Sequence, residues 1–201
     1  MKSYQYILEL LLAGAGSLLW LTILAIDVFG FGWISLEYEH LTSLSDGLII
    51  AFLVIVFPFV LVGGIITDRF GDIVFERLFD EKLLEKHFEK DETKYHRAKT
   101  KVFCESDNLK ELYDYGRMRS RICRNWTINS IMLLLALNYL IWSREIVDDH
   151  TDFKISIFFS FILGISTVIS FLTWKALINK EYWFVKKEME ILDEFREDQV
   201  S

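Results

Sequence analysis

One proline and two cysteines in 201 residues leave the chain little that would break a helix or staple a loop. Cys104 and Cys123 both fall in the polar middle of the chain. Lysine and arginine concentrate in that segment, which places it in the reducing compartment and excludes a structural disulfide. With His87 and His96 they match no zinc-ligand spacing, so neither a metal nor a cofactor is expected. Catalytic signatures are missing as well: no glycine-serine-glycine elbow, no HExxH, no glycine-rich phosphate loop. "DRFGD" spaces two acids four apart, but further acids follow it and no glycine-arginine signature. Charged residues recur with the helical period instead of gathering irregularly at one interface, which argues against an enzyme. A basic excess is also lacking. Net charge is −7, with fourteen Lys and Arg against thirteen acids in the central segment and four against seven from residue 179 on, which excludes a nucleic-acid binder.

What is present is apolar length. Hydrophobic residues make up 52% and aromatics 15%, at a mean hydropathy of +0.28. A bilayer-spanning helix needs about 20 apolar residues, and four stretches qualify, at 6–29, 47–67, 126–143 and 155–178. The first is too long for a signal-peptide core, lacks a strongly charged start and has no clean cleavage site, so it reads as a retained helix. The expected fold is all-α: a four-transmembrane-helix bundle with a cytosolic helical hairpin extending spans 2 and 3 and an amphipathic C-terminal helix. Its parts are a transmembrane hairpin over 1–67, the cytosolic hairpin over 68–125, a second transmembrane hairpin over 126–178 and the terminal helix over 179–201.

Orientation follows from lysine and arginine, which are held on the cytoplasmic side. Twenty of the 22 lie before the first span, in the central segment or after the fourth, and the two outer loops hold only Arg144 and Lys154. Both termini and the central hairpin are therefore expected in the cytoplasm, in a multi-pass protein of the bacterial inner membrane. Glu37, Glu39, Asp46, Glu145, Asp148, Asp149 and Asp152 would form an acidic outer rim, solvated and attractive to cations.

In "TDRFGDIVFERLFD" the acids Asp68, Asp72, Glu76 and Asp80 recur every fourth residue. Apolar periodicity carries the second helix on to about residue 90, "KDETKYHRAKTK" at 90–101 reads as a turn or mobile loop, and Ser106 is a good N-cap for a returning helix. That helix presents Arg117, Arg121 and Arg124. Antiparallel packing sets Asp72 level with Arg121, Glu76 with Arg117 and Asp68 beside Arg124, a salt-bridge ladder just under the bilayer. The plainer alternative makes the arginines headgroup anchors and the acids a solvated stripe. A third turns the acids of several subunits toward a cation vestibule.

Within the spans, Ser156, Ser160 and Gly164 share one helical face, and Ala13 and Ser17 repeat the pattern beside Gly14 and Gly16. Both are helix-packing faces, for use within or between monomers. Pro58 is expected to kink the second helix. Asn138 could bond a neighbouring helix. Glu9 and Asp27 both lie within reach of an interface, so no ionisable group marks the midplane and a proton-coupled transporter is disfavoured. Along the terminal helix Val185, Met189, Leu192 and Phe195 form a stripe that must pack on the hairpin, a sister subunit or another protein.

Cytoplasmic termini and a central hairpin between "GGIITDRFGD" and "GRMRSRICRNW" give a layout that resembles the small four-pass bacterial membrane subunits of anti-phage defence systems of the Kiwa kind. The resemblance implies a sensor working with a cytosolic effector, or an abortive-infection membrane effector, and carries over no residue role. The residues themselves support a non-enzymatic homo-oligomeric sensor or adaptor, in contact with lipid and with a cytosolic protein partner. The alternatives are an oligomeric cation-permeable pore or membrane-disrupting effector and, behind it, a lipid-active enzyme.

Overall fold

A computed structural model of the chain describes residues 3–30, 46–75, 78–79, 81–89, 91–144 and 149–200. All its elements are helices: α1 (Ser3–Phe29), α2 (Asp46–Phe75), α3 (Glu81–Phe88), α4 (Glu92–Glu105), α5 (Asp107–Arg144) and α6 (Asp149–Val200). Four of them, α1, α2, α5 and α6, are long and apolar enough to cross a bilayer, which makes this a multi-pass integral membrane protein. Glu37, Glu39, Glu76, Asp80, Glu145 and Asp148 lie outside the described residues.

Helix α1 sits between α2 and α5, and α5 runs along α6. The α1–α2 crossing is a backbone contact. A Cβ added to Gly14 would stand 1.7 Å from the Val60 carbonyl oxygen, and one added to Gly64 would stand 2.1 Å from that of Leu10. In a medium as apolar as the side chains, such close approach supplies much of the association energy. Helix α2 continues through Pro58 without interruption.

Length sets α5 and α6 apart. With 38 and 52 residues they extend about 57 Å and about 78 Å, well beyond a hydrocarbon core of about 30 Å. Their overhanging ends, with α3 and α4, form a helical head. Its core is Phe88, Tyr95, Ala98, Tyr113, Tyr182 and Val185. Where head meets spans, the rings of Phe75 and Phe79 lie 4.6 and 5.2 Å from that of Trp174, edge-on.

The described residues of α2 stop at Phe75, residues 78–79 form a π turn, and α3 follows from Glu81 to Phe88. The 90–101 stretch, expected as a turn or mobile loop, is instead mostly helix, which starts at Glu92. Asp91, extended at φ −91° and ψ 94°, accepts from the Lys94 amide at 3.0 Å and caps α4, which buries Tyr95, Ala98 and Val102. The chain reverses instead at Ser106, whose hydroxyl accepts from the Leu109 amide at 3.5 Å at the start of α5. Before α4, Glu89 takes the left-handed conformation at φ 55° that ends α3.

Candidate functional site

Polar residues inside the bundle are spent between helices. Asn129, fully buried on α5, donates to the Ala13 carbonyl at 2.9 Å and accepts from Trp20 Nε1 at 3.3 Å and Ser17 Oγ at 3.4 Å. Ser17 Oγ also shares a 2.5 Å hydrogen bond with Thr67 Oγ1 of α2. Farther along α5, Asn138 accepts from Ser156 and Ser160 of α6 and donates to Ser160 at 3.0 Å. The α6 small-residue face is thus partly used within the chain. Gly164 on the same face has nothing within 4 Å of a Cβ position. At the far end Ser143 Oγ donates to Asp27, and Asp152 is buried among its neighbours, not set on an open rim.

At the head end lies a layer of ion pairs. Arg124 holds both acids with its terminal nitrogens: Nη2 donates to the Asp68 carboxylate at 2.6 Å and to its carbonyl at 3.2 Å, while Nη1 donates to Asp72 at 2.5 Å. Asn125 Nδ2 adds a 3.2 Å bond to the same Asp68 oxygen. Gly71 makes the space, since a Cβ there would stand 2.8 Å from Arg124 Nε. Asp68 beside Arg124 is the expected register, but Asp72 also turns to Arg124 instead of Arg121. Arg121 reaches Glu9 of α1, its Nη1 3.6 Å from the carboxylate. Glu9 is wholly buried, and neither of its oxygens has a hydrogen-bond partner among the described residues. Arg117 approaches Glu181 of α6 at 3.9 Å, while Glu76, its expected partner, is outside the described residues.

Between this layer and the head core opens a cavity of about 460 Å³. Lys99 of α4 and Arg117, Arg121 and Arg124 of α5 face it, with Tyr95, Tyr113, Trp174 and Tyr182 as aromatic wall and Asp72, Glu92 and Glu181 as acids. Glu181 accepts from the Tyr113 hydroxyl and from Tyr95 Oη at 3.5 Å, and the two hydroxyls lie 3.1 Å apart. The Lys99 ammonium stands over the Tyr113 ring at 4.8 Å and at 5.8 Å from those of Tyr95 and Phe103. Burial, and next the nearby Arg117 charge, hold it below the ordinary lysine value of 10.5, with Glu181 opposing.

The terminal stripe divides. Val185 is fully buried and Met189 packs on the head core, Leu192 is half-buried and Phe195 is 64% exposed. Glu9, Lys99, Tyr113, Asn129 and Glu181 are the residues of these sites that sequence reasoning did not single out as functional. Glu9 and Asn129 carried a signal, a charge or an amide standing in an apolar helical neighbourhood, whereas Lys99, Tyr113 and Glu181 lie in polar stretches. Among the described residues no group of His, Cys, Asp and Glu could hold a metal ion. No family model, curated protein or solved structure matches the chain.

Proposed function

We propose that the protein is a non-enzymatic, homo-oligomeric sensor or adaptor of the bacterial inner membrane that couples membrane state to a cytosolic protein partner, in the setting of anti-phage defence that its layout resembles. The observation that carries the reading is α6. A single 52-residue helix passes from the spanning region into the head, and the head core is built directly on its Tyr182 and Val185. A shift of α6 in the bilayer is then a shift of the head, with no flexible linker to absorb it. The lysine and arginine distribution supports a cytoplasmic head with both termini beside it. Phe195 supplies an exposed aromatic ring on that side.

The span interfaces favour this reading over a pore. Asn129, Asn138 and Ser17 bond helix to helix, which consumes the polar groups a wide aqueous path would need. The test is copurification from the native host membrane under gentle extraction, with the wild type and a chain truncated after residue 190. The reading expects a stoichiometric soluble protein with the first and not with the second. Homo-oligomers alone, together with ion flux from reconstituted vesicles, would replace it by the pore.

A further inference from the structure

The three arginines of α5 that face the cavity are not equivalent. Arg124 spends both terminal nitrogens on Asp68 and Asp72. Among the described residues Arg117 and Arg121 make only the longer ion pairs at 3.9 and 3.6 Å, beyond hydrogen-bond length, so the donors of two planar forks remain unspent there. They stand one helical turn apart on α5, and Lys99 of α4 faces the same space with aromatic rings, not an acid, as its close contacts. The acids of the wall are already engaged. Asp72 holds Arg124, Glu181 accepts from two tyrosine hydroxyls, and Glu92 lies 3.4 Å from His96. A cavity of about 460 Å³ falls within the usual range for small-molecule sites, about 300–1,000 Å³.

We propose that this cavity is a binding site for a phosphate-bearing anion, its phosphate held by Arg117, Arg121 and Lys99 and its organic body against Tyr95, Tyr182 and Trp174. Two guanidinium forks and an ammonium suit a dianionic tetrahedral group with several acceptor oxygens better than a single carboxylate. Arg121 is shared: a phosphate that takes its donors draws it from Glu9, the buried carboxylate at the α1 interface. Occupancy of the head is thereby felt between the spans. This deepens the sensor reading and rests on it for its biological sense, but the binding stands or falls without any protein partner.

The phosphate can belong to an anionic lipid headgroup or to a soluble ester, and the experiment separates them. The full chain is placed in nanodiscs of phosphatidylcholine alone and titrated with inorganic phosphate and pyrophosphate at constant ionic strength. In parallel, discs doped with phosphatidic acid are assayed for retained lipid by native mass spectrometry. Arg117→Gln, which leaves the Arg121–Glu9 pair intact, should weaken binding about tenfold, the loss of one charge-assisted contact, and Arg119→Gln, on the exposed face, should leave it unchanged. E9Q should tighten it by freeing Arg121. Binding of free phosphate lost in R117Q supports a soluble ester, and retention of phosphatidic acid lost in R117Q supports a lipid. No binding in either arm, or equal binding by wild type and R117Q, overturns the proposal, and unchanged affinity in E9Q overturns the sharing of Arg121.

Discussion

Replacing Arg124 by methionine gives the sharpest test of the ion-pair layer. The side chains of Arg124 and Asp68 are 9% and 8% exposed, and their contact is 2.6 Å. Methionine keeps most of the volume and removes the charge. Asp68 is then left with Asn125 as its remaining donor among the described residues, and an uncompensated buried carboxylate costs about 3–5 kcal/mol. Asp68→Asn alone should cost less, about 1–3 kcal/mol, because Arg124 keeps Asp72. In the double variant no stranded charge remains, so the two effects should fall short of additivity by about 2 kcal/mol, within the range found for contacting residues. Reversible unfolding in mixed micelles of rising SDS fraction measures all four corners of the cycle. A cost below about 1 kcal/mol for R124M, or additivity within about 0.5 kcal/mol, would refute the reasoning. The cycle belongs at Arg124 and Asp68, not at Arg121 and Asp72, since those two are not paired with each other.

Three further outcomes are expected. Gly64→Ala puts a methyl group 2.1 Å from the Leu10 carbonyl oxygen, so α1 and α2 must separate at a cost of about 1–3 kcal/mol; Gly164→Ala, with open space around it, should unfold like wild type in the same micelle titration. Lys99 is held below 10.5 by burial and by Arg117, so the unfolded chain binds more protons than the folded one between the lowered value and 10.5, and stability rises with pH across that window. Lys99→Met should therefore be more stable than wild type near neutrality, with the advantage shrinking as pH approaches 10.5 in parallel melts. Exposed Cys104 lies in the head; in a Cys123→Ser background a membrane-impermeant maleimide should label it only after spheroplasts are lysed, and labelling of intact spheroplasts would invert the orientation.

Much of the architecture can be read from residue chemistry. Apolar length marks the four candidate spans, Ser106 marks the start of α5, and Asp68 meets Arg124 in the register that the polar boundaries of the two helices predict. Those boundaries fix register only close to them. A rotation of α5 by part of a turn sends Arg121 to α1 instead of α2, and α1 is placed by the Gly14 and Gly64 contact, a distance no periodicity encodes. Helix α4 was hidden because its buried stripe is only Tyr95, Ala98 and Val102, set among lysines and threonines. The cavity escaped for a different reason: Tyr95 and Tyr113 meet Glu181 across 86 and 68 residues of chain, and a lone acid on an amphipathic helix looks solvated until its partners are known.

Native mass spectrometry of the complex, gently extracted from its own membrane, tests the sensor and adaptor reading most directly. That reading expects whole-number multiples of 23.7 kDa carrying additional mass from a soluble protein, and the loss of that mass when α6 is shortened after residue 190. Bare multiples of the chain mass under the same conditions, from vesicles that also conduct cations, would contradict it and make the protein a pore.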